Sequence, residues 1–240
     1  MIRTNKITTL LSILLLLFSC KSPAEKQQSI AAEILKSIEA KYLSNITQVL
    51  LVYNNQASDF QATLLAFEKT DQGWKQVFDE IPAGIGEHGF AVKDEKTEGD
   101  GKSPTGIFAL GQMFTYLDSV DTKMPYRKTT IADKWIDDPE SEDYNRYVQG
   151  ETDAKSYENL LLKSDAYKYC MVIGYNTNPV VKGKGSAIFF HLNKTGYEST
   201  TGCVAITEEN MVRILKWLDS KSNPHIIMGN SRELLSEFNR

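Results

Sequence analysis

Cysteine and histidine are scarce, with three of each in 240 residues. No group of them has the spacing of a zinc site, so the sequence gives no basis for a metal or other cofactor. Long apolar runs are missing as well: the longest candidate, Leu10 to Phe18, is too short to span a bilayer comfortably. Positive charge is not in surplus. With 27 Lys and Arg against 31 Asp and Glu, a formal net charge of −4 offers no broad basic field, which argues against nucleic acid as a partner. Internal repeats, heptads and low-complexity tracts are also absent. What is present is the composition of a soluble globular protein, 41% hydrophobic and 24% charged, long enough for one sizeable core.

The first twenty residues read as targeting. Arg3 and Lys6 precede the apolar run "LLSILLLLF", the order of a secretory signal. The run ends in "LFSC" and turns at once to the polar "KSPAEKQQS", which resembles a bacterial lipoprotein box. That resemblance implies a lipid on Cys20, a mature chain beginning there, and a membrane anchor facing the periplasm. An ordinary cleaved signal or an uncleaved anchor is the alternative. Two cysteines, Cys170 and Cys203, then remain for the mature domain, and in an oxidising envelope a disulfide between them is one reading.

Past this segment, residues 21–46 read as a polar tether followed by an amphipathic helix, with Ile30, Ile34, Leu35, Ile38 and Tyr42 at helical spacing. The helix packs on the domain or serves as a spacer. Residues 47–240 change texture to short β-type runs: "QVLLVYN", "QATLLAFEK", "GWKQVFDEI", "TGIFAL", "KYCMVIGYN", "SAIFFHL", "CVAI" and "HIIMG". One later helix is expected from Thr207, with Glu208 and Glu209 in its first turn and Met211, Ile214, Leu215 and Leu218 on one face, ended by Asn223 and Pro224. The fold class is mostly β, a β-rich α+β domain. Tyr116 to Gly150 is polar, aromatic-rich and without clean periodicity, the texture of a lid or binding loop. If it covers a cleft, Tyr144, Asn145 and Arg146 are candidates to hold polar parts of a substrate.

The candidate chemistry lies in "FFHLNKTGYESTTGCVAI", Phe189 to Ile206. Treated as two antiparallel strands turning near Tyr197, it sets His191 opposite Cys203 and Phe189 opposite Ala205. Ile188, Phe190, Leu192, Val204 and Ile206 then share the other, wholly apolar face. Opposed Cβ atoms lie about 4.5–5.5 Å apart, near enough for imidazole and sulfur to meet. A thiol is a weak nucleophile until a base accepts its proton, which is the work a neighbouring imidazole can do. Gly202 lets the backbone bend tightly beside an oxyanion hole built with the Cys203 amide, and the Thr201 hydroxyl is placed to orient histidine or substrate. A second motif, "GDGKSPTG" from Gly99, shares its Gly-Lys-Ser with a phosphate-binding loop. Lys96 stands where another glycine is needed and a strand is expected to follow, so nucleotide binding is rejected.

Together, "EGDGKSPTGIFALG", "GSAIFFH" and "TTGCVAI" resemble the YkuD-like L,D-transpeptidase catalytic domain, in a divergent branch, from about Gln48 to Gly229. The resemblance implies a β-sandwich or barrel, Cys203 as nucleophile, His191 as the upstream histidine, and peptidoglycan stem peptides as substrate in the cell envelope. Commoner members carry serine and histidine before the glycine and a basic residue two places after the cysteine, where this chain has Thr200, Thr201 and Ala205. Their histidine-to-cysteine loop is also longer. The resemblance implies L,D-transpeptidation through a Cys203 thioester with His191 as base; L,D-carboxypeptidation at the same site and a non-catalytic lipid-anchored wall-binding module are the alternatives.

Overall fold

The computed structural model describes residues 23–238; the stretch expected to be a signal, and Cys20 with it, lie outside them. Helix α1 (Pro23–Tyr42) is followed by strands β1 (Gln48–Asn54), β2 (Gln61–Thr70), β3 (Gly73–Gln76), β4 (Ile81–Gly84) and β5 (Gly106–Thr115). Next come β6 (Tyr126–Lys128), β7 (Asp133–Ile136), β8 (Tyr147–Gln149), β9 (Tyr157–Asn159) and β10 (Tyr169–Ile173). The chain closes with β11 (Phe189–Leu192), β12 (Val204–Ile206), α2 (Glu208–Trp217), β13 (His225–Asn230) and α3 (Ser231–Phe238).

The main sheet is mostly antiparallel and closes on itself. Its strands run β1-β13-β5-β10-β11-β12-β4-β2, and pairing of β1 with β2 completes a barrel, with β3 and β6 attached outside. β1 is buried along its whole length because both of its faces are covered. Leu50 and Val52 join the inner cluster with Leu64, Met171, Phe190, Val204 and Met228, while Val49, Leu51 and Tyr53 pack outward under α1 and α3. Met211, Ile214 and Leu215 of α2, and Leu218 just after it, belong to the same inner cluster. A fully buried Leu or Ile contributes about 1.5–3 kcal/mol, so this cluster is the main source of stability.

Four expectations change. α1 begins at Pro23, so the expected tether is helical up to the amphipathic stretch; Glu25, Lys26, Gln27 and Gln28 are good helix formers and proline suits a first turn. Ala31, Ile34, Leu35 and Ile38 are buried against the barrel wall, so the helix is no spacer. α2 ends at Trp217, ahead of Asn223 and Pro224, and a second helix, α3, follows the cysteine where one was expected. The Tyr116–Gly150 segment carries β6, β7 and β8; β7 and β8, joined by β9, make a separate three-stranded sheet in the order β8-β7-β9.

The fourth change concerns the site. β11 and β12 pair in parallel, with Phe190 beside Val204, His191 beside Ala205 and Leu192 beside Ile206. The connecting loop does not turn back at Tyr197. Its start stays in register, the Asn193 amide donating to the Ile206 carbonyl at 2.9 Å. It then crosses to β4 and returns beside Gly86, where Thr200 and Ile85 share a backbone hydrogen bond of 2.8 Å. β12 thereby gains β4 as its second, antiparallel neighbour, which a hairpin would not have supplied. The assignment of faces survives because side-chain alternation has a period of two in either direction: Ile188, Phe190, Leu192, Val204 and Ile206 point inward, Phe189 and Cys203 outward.

Candidate active site

Cys203 ends the loop that delivers β12, and two side chains fix its backbone. Ser103, fully buried, donates to the Gly202 carbonyl at 2.7 Å and accepts from the Gly86 amide at 2.9 Å. Thr200 donates to the Cys203 carbonyl at 2.8 Å and accepts from the Gly202 amide at 3.1 Å. Gly202 has φ +149°, and a Cβ there would press on the Lys102 carbonyl at 3.0 Å, so glycine is needed. The sulfur receives the Phe189 amide at 3.3 Å and faces the Ala187 carbonyl at 3.4 Å, to which the thiol proton is directed. Because Thr200 takes the Gly202 amide, that amide is not available as an oxyanion donor. Thr201 is exposed and lines the cleft beside the sulfur.

His191 projects from the same face as Cys203 but is not opposite it. The pairs Phe190–Val204 and His191–Ala205, continued one residue back, set Phe189 beside Cys203, so imidazole and thiol are diagonal neighbours. No hydrogen bond joins them. Nδ1 lies 2.9 Å from the Leu192 carbonyl, which can only accept, so Nδ1 carries the proton and Nε2 holds the free lone pair. The ring is held edge-on to Tyr167, with centroids 5.3 Å apart. Burial lowers the imidazole to about 4. Burial likewise pushes the thiol up to about 12, against the opposing Phe189 amide and Lys96 charge. At neutral pH the resting pair is therefore thiol and neutral imidazole.

The imidazole shift has a consequence for stability. Between about pH 6.5, the unfolded value, and about 4, the folded value, the unfolded chain binds a proton that folded His191 refuses. Stability is therefore unaffected above this window and falls as pH drops through it. His191→Gln is expected to flatten that fall by at most about 3 kcal/mol in urea melts at matched pH. Parallel pH curves for the two proteins would contradict it.

A cleft of about 190 Å³ opens over the sulfur. It is lined by Lys96 and Glu98, by Asp137 just after β7, by Glu158 on β9, and by Tyr167. Burial raises the Glu158 carboxyl above its ordinary range, with Asp137 adding to it, and Tyr167 approaches it at 3.5 Å. None of these residues was picked out by the sequence reading; Lys96 featured there only as an obstacle to a phosphate loop, and Ser103 only as part of it. β5 follows that motif as a strand, at odds with a nucleotide loop.

Tyr144 and Asn145 are placed differently from the expectation that they hold substrate. Both are buried and their polar atoms are engaged within the protein. Tyr144 donates to Glu98 at 2.5 Å and accepts from the Gly185 amide at 3.0 Å. Asn145 accepts from the Trp135 indole at 2.8 Å and the Ala187 amide at 3.1 Å, and donates to the carbonyls of Tyr175 and Asn176 at 3.1 and 2.7 Å. They fasten the small sheet to the loop that presents Ala187 to the thiol. Arg146 is exposed and is not among the residues lining the cleft.

Cys170 lies on β10, with β11 between it and Cys203. Two strand spacings are about 9.5 Å, beyond the roughly 7 Å limit for a disulfide, and both thiols are free. The disulfide reading does not hold.

The chain thus forms a closed β-barrel with a cysteine beside a cleft and a histidine on the same face of the wall. The model of the L,D-transpeptidase catalytic domain, YkuD, matches residues 58–227, and the chain belongs to that family. Among solved structures it is similar to the helical cell shape determining protein Pgp2 from Campylobacter jejuni, at 18% identity and a TM-score of 0.43, covering 86% of this chain and 56% of that one. A point mutant of the same protein matches at 15% identity and a TM-score of 0.41, over 86% of this chain and 59% of that one. This chain thus spans less than two thirds of their length. No curated protein matches it.

Proposed function

We propose that this chain is a cysteine acyltransferase acting on peptidoglycan stem peptides. The carrying observation is the Cys203 thiol at the floor of a cleft, with the free Nε2 of His191 on the same face of the barrel wall. The thiol proton passes to Nε2 as the sulfur attacks the carbonyl of the bond between an L-centre and a terminal D-alanine. The oxyanion collapses, the imidazolium returns its proton to the departing amine, and D-alanine leaves a thioester behind. The side-chain amine of a second stem then takes the acyl group; water in its place makes the same site a carboxypeptidase. The experiment is to incubate the protein with purified tetrapeptide muropeptides and weigh the products. Dimers with free D-alanine mean transpeptidation, and tripeptide alone means hydrolysis. Unchanged substrate at neutral pH under reducing conditions rejects both and leaves the wall-binding module.

The same reading places the chain in the cell envelope, anchored through a lipid on Cys20. Release of a Cys20→Ser chain from the membrane fraction supports the anchor, and unchanged fractionation removes it.

A further inference from the structure

Lysine is rarely buried without a partner, yet Lys96 is only 4% exposed. Its ammonium donates to Asp100 at 2.7 Å and, more weakly, to the Thr97 carbonyl at 3.4 Å. Asp100 is itself fixed, accepting from the amides of Thr97 and Lys102 at 2.9 Å each. The Lys96 side chain is thus held in one place rather than snorkelling to solvent. That place adjoins the nucleophile: a Cβ added to Gly202 would come within 3.7 Å of Nζ, and Lys96 lines the cleft together with Cys203.

Charge in the cleft is lopsided. Glu98, Asp137 and Glu158 line it, and among the described residues that do so Lys96 is the one cation. Each carboxylate opposes formation of a second anion on sulfur. Of the remaining titratable neighbours, Tyr167 and Cys170 are kept neutral by burial, and His191 is neutral until it receives the thiol proton. Ala205, two places after the cysteine, supplies no charge.

We propose that Lys96 is the electrostatic partner of Cys203, its buried ammonium favouring the thiolate that attacks the substrate carbonyl. This rests on the acyl-transfer reading only for the use to which the thiolate is put; the effect on the thiol needs no substrate, so the two ideas fail separately. Bringing a fixed positive charge to bear on a thiol of low accessibility to water is more effective than it would be at the surface.

The test is alkylation by iodoacetamide in a Cys20→Ser, Cys170→Ser chain, with modification of Cys203 followed by mass between about pH 7 and 10. Over this range the rate is proportional to the thiolate fraction. Lys96→Gln is expected to slow alkylation about ten-fold at each pH, equivalent to one unit in thiol pKa, and Lys96→Arg to stay within about two-fold. Asp100→Asn, which keeps the lysine and removes its counter-charge, is expected to speed it. If Lys96 served only as a structural tie, Lys96→Gln and Asp100→Asn would break the same contact and shift the rate the same way. Equal direction, or an unchanged rate in Lys96→Gln, overturns the proposal; should Lys96→Gln fail to fold by circular dichroism, an Asp100→Asn rate at or below wild type overturns it instead.

Discussion

Cys203→Ala is expected to bring thioester and muropeptide products down to the uncatalysed background while leaving the fold intact. The sulfur makes two contacts, with the Phe189 amide and the Ala187 carbonyl, and losing them costs about 1–3 kcal/mol through the buried N–H left without an acceptor. The barrel core inside the wall does not involve this side chain. Intact-mass measurement after brief exposure to tetrapeptide reads the acyl-enzyme directly, and turnover reads the rest. His191→Gln is the companion variant: with the thiol present but no base to take its proton, kcat should fall by about 10² to 10⁴ and KM should change little. Because the imidazole is a diagonal neighbour of the sulfur, this is a demanding test. Turnover within a few-fold of wild type in His191→Gln would remove histidine from the mechanism and turn attention to Glu158, which lines the cleft.

Gly84→Ala is expected to be as damaging from outside the cleft. Gly84 ends β4, paired with Ala205 of β12, and the loop that delivers Cys203 lies directly on it. A Cβ there would sit 1.8 Å from the Glu198 carbonyl oxygen and 2.9 Å from its carbon. Both are backbone atoms, so no rotamer change relieves the contact and the loop must lift. Overpacking of this kind costs typically 1–3 kcal/mol and occasionally more; with two backbone segments in collision, about 3 kcal/mol or more is expected in urea unfolding. Lifting the loop also pulls on the Asn193 and Thr200 contacts that set the approach to Cys203, so turnover should be lost even where the protein remains folded. Wild-type stability and turnover together in Gly84→Ala would show that the loop does not rest on β4 in solution.

The sequence marked which side of each strand is apolar more clearly than which way the strands run. Ile188, Phe190, Leu192, Val204 and Ile206 alternate with Phe189, His191, Cys203 and Ala205 in either orientation, so His191 and Cys203 were correctly set on one face. Direction depends on where the ten residues from Asn193 to Gly202 travel, and that is decided by β4 and the residues just after it, a distant segment whose contacts with Glu198 and Thr200 leave no local pattern. The small sheet was hidden for another reason: β8 and β9 are each three residues long, too short to display a period. Glu158 and Tyr167 are brought to the cleft through that sheet and the turn after it, so neither could be foreseen from spacing to the cysteine. Lys96 was visible in the sequence, but nothing near it in the chain announces that its ammonium ends beside Gly202.

The barrel wall separates two jobs. Its lumen is filled by tightly packed aliphatic and aromatic side chains that hold the staves together, while Cys203 and His191 sit on the outer surface of the same staves. Substitutions such as Ile226→Val in the lumen can thus retune melting without touching turnover, and exchanges on the outer surface can alter the reaction while the scaffold stays put. A chain organised this way can drift in one property without being dragged along in the other.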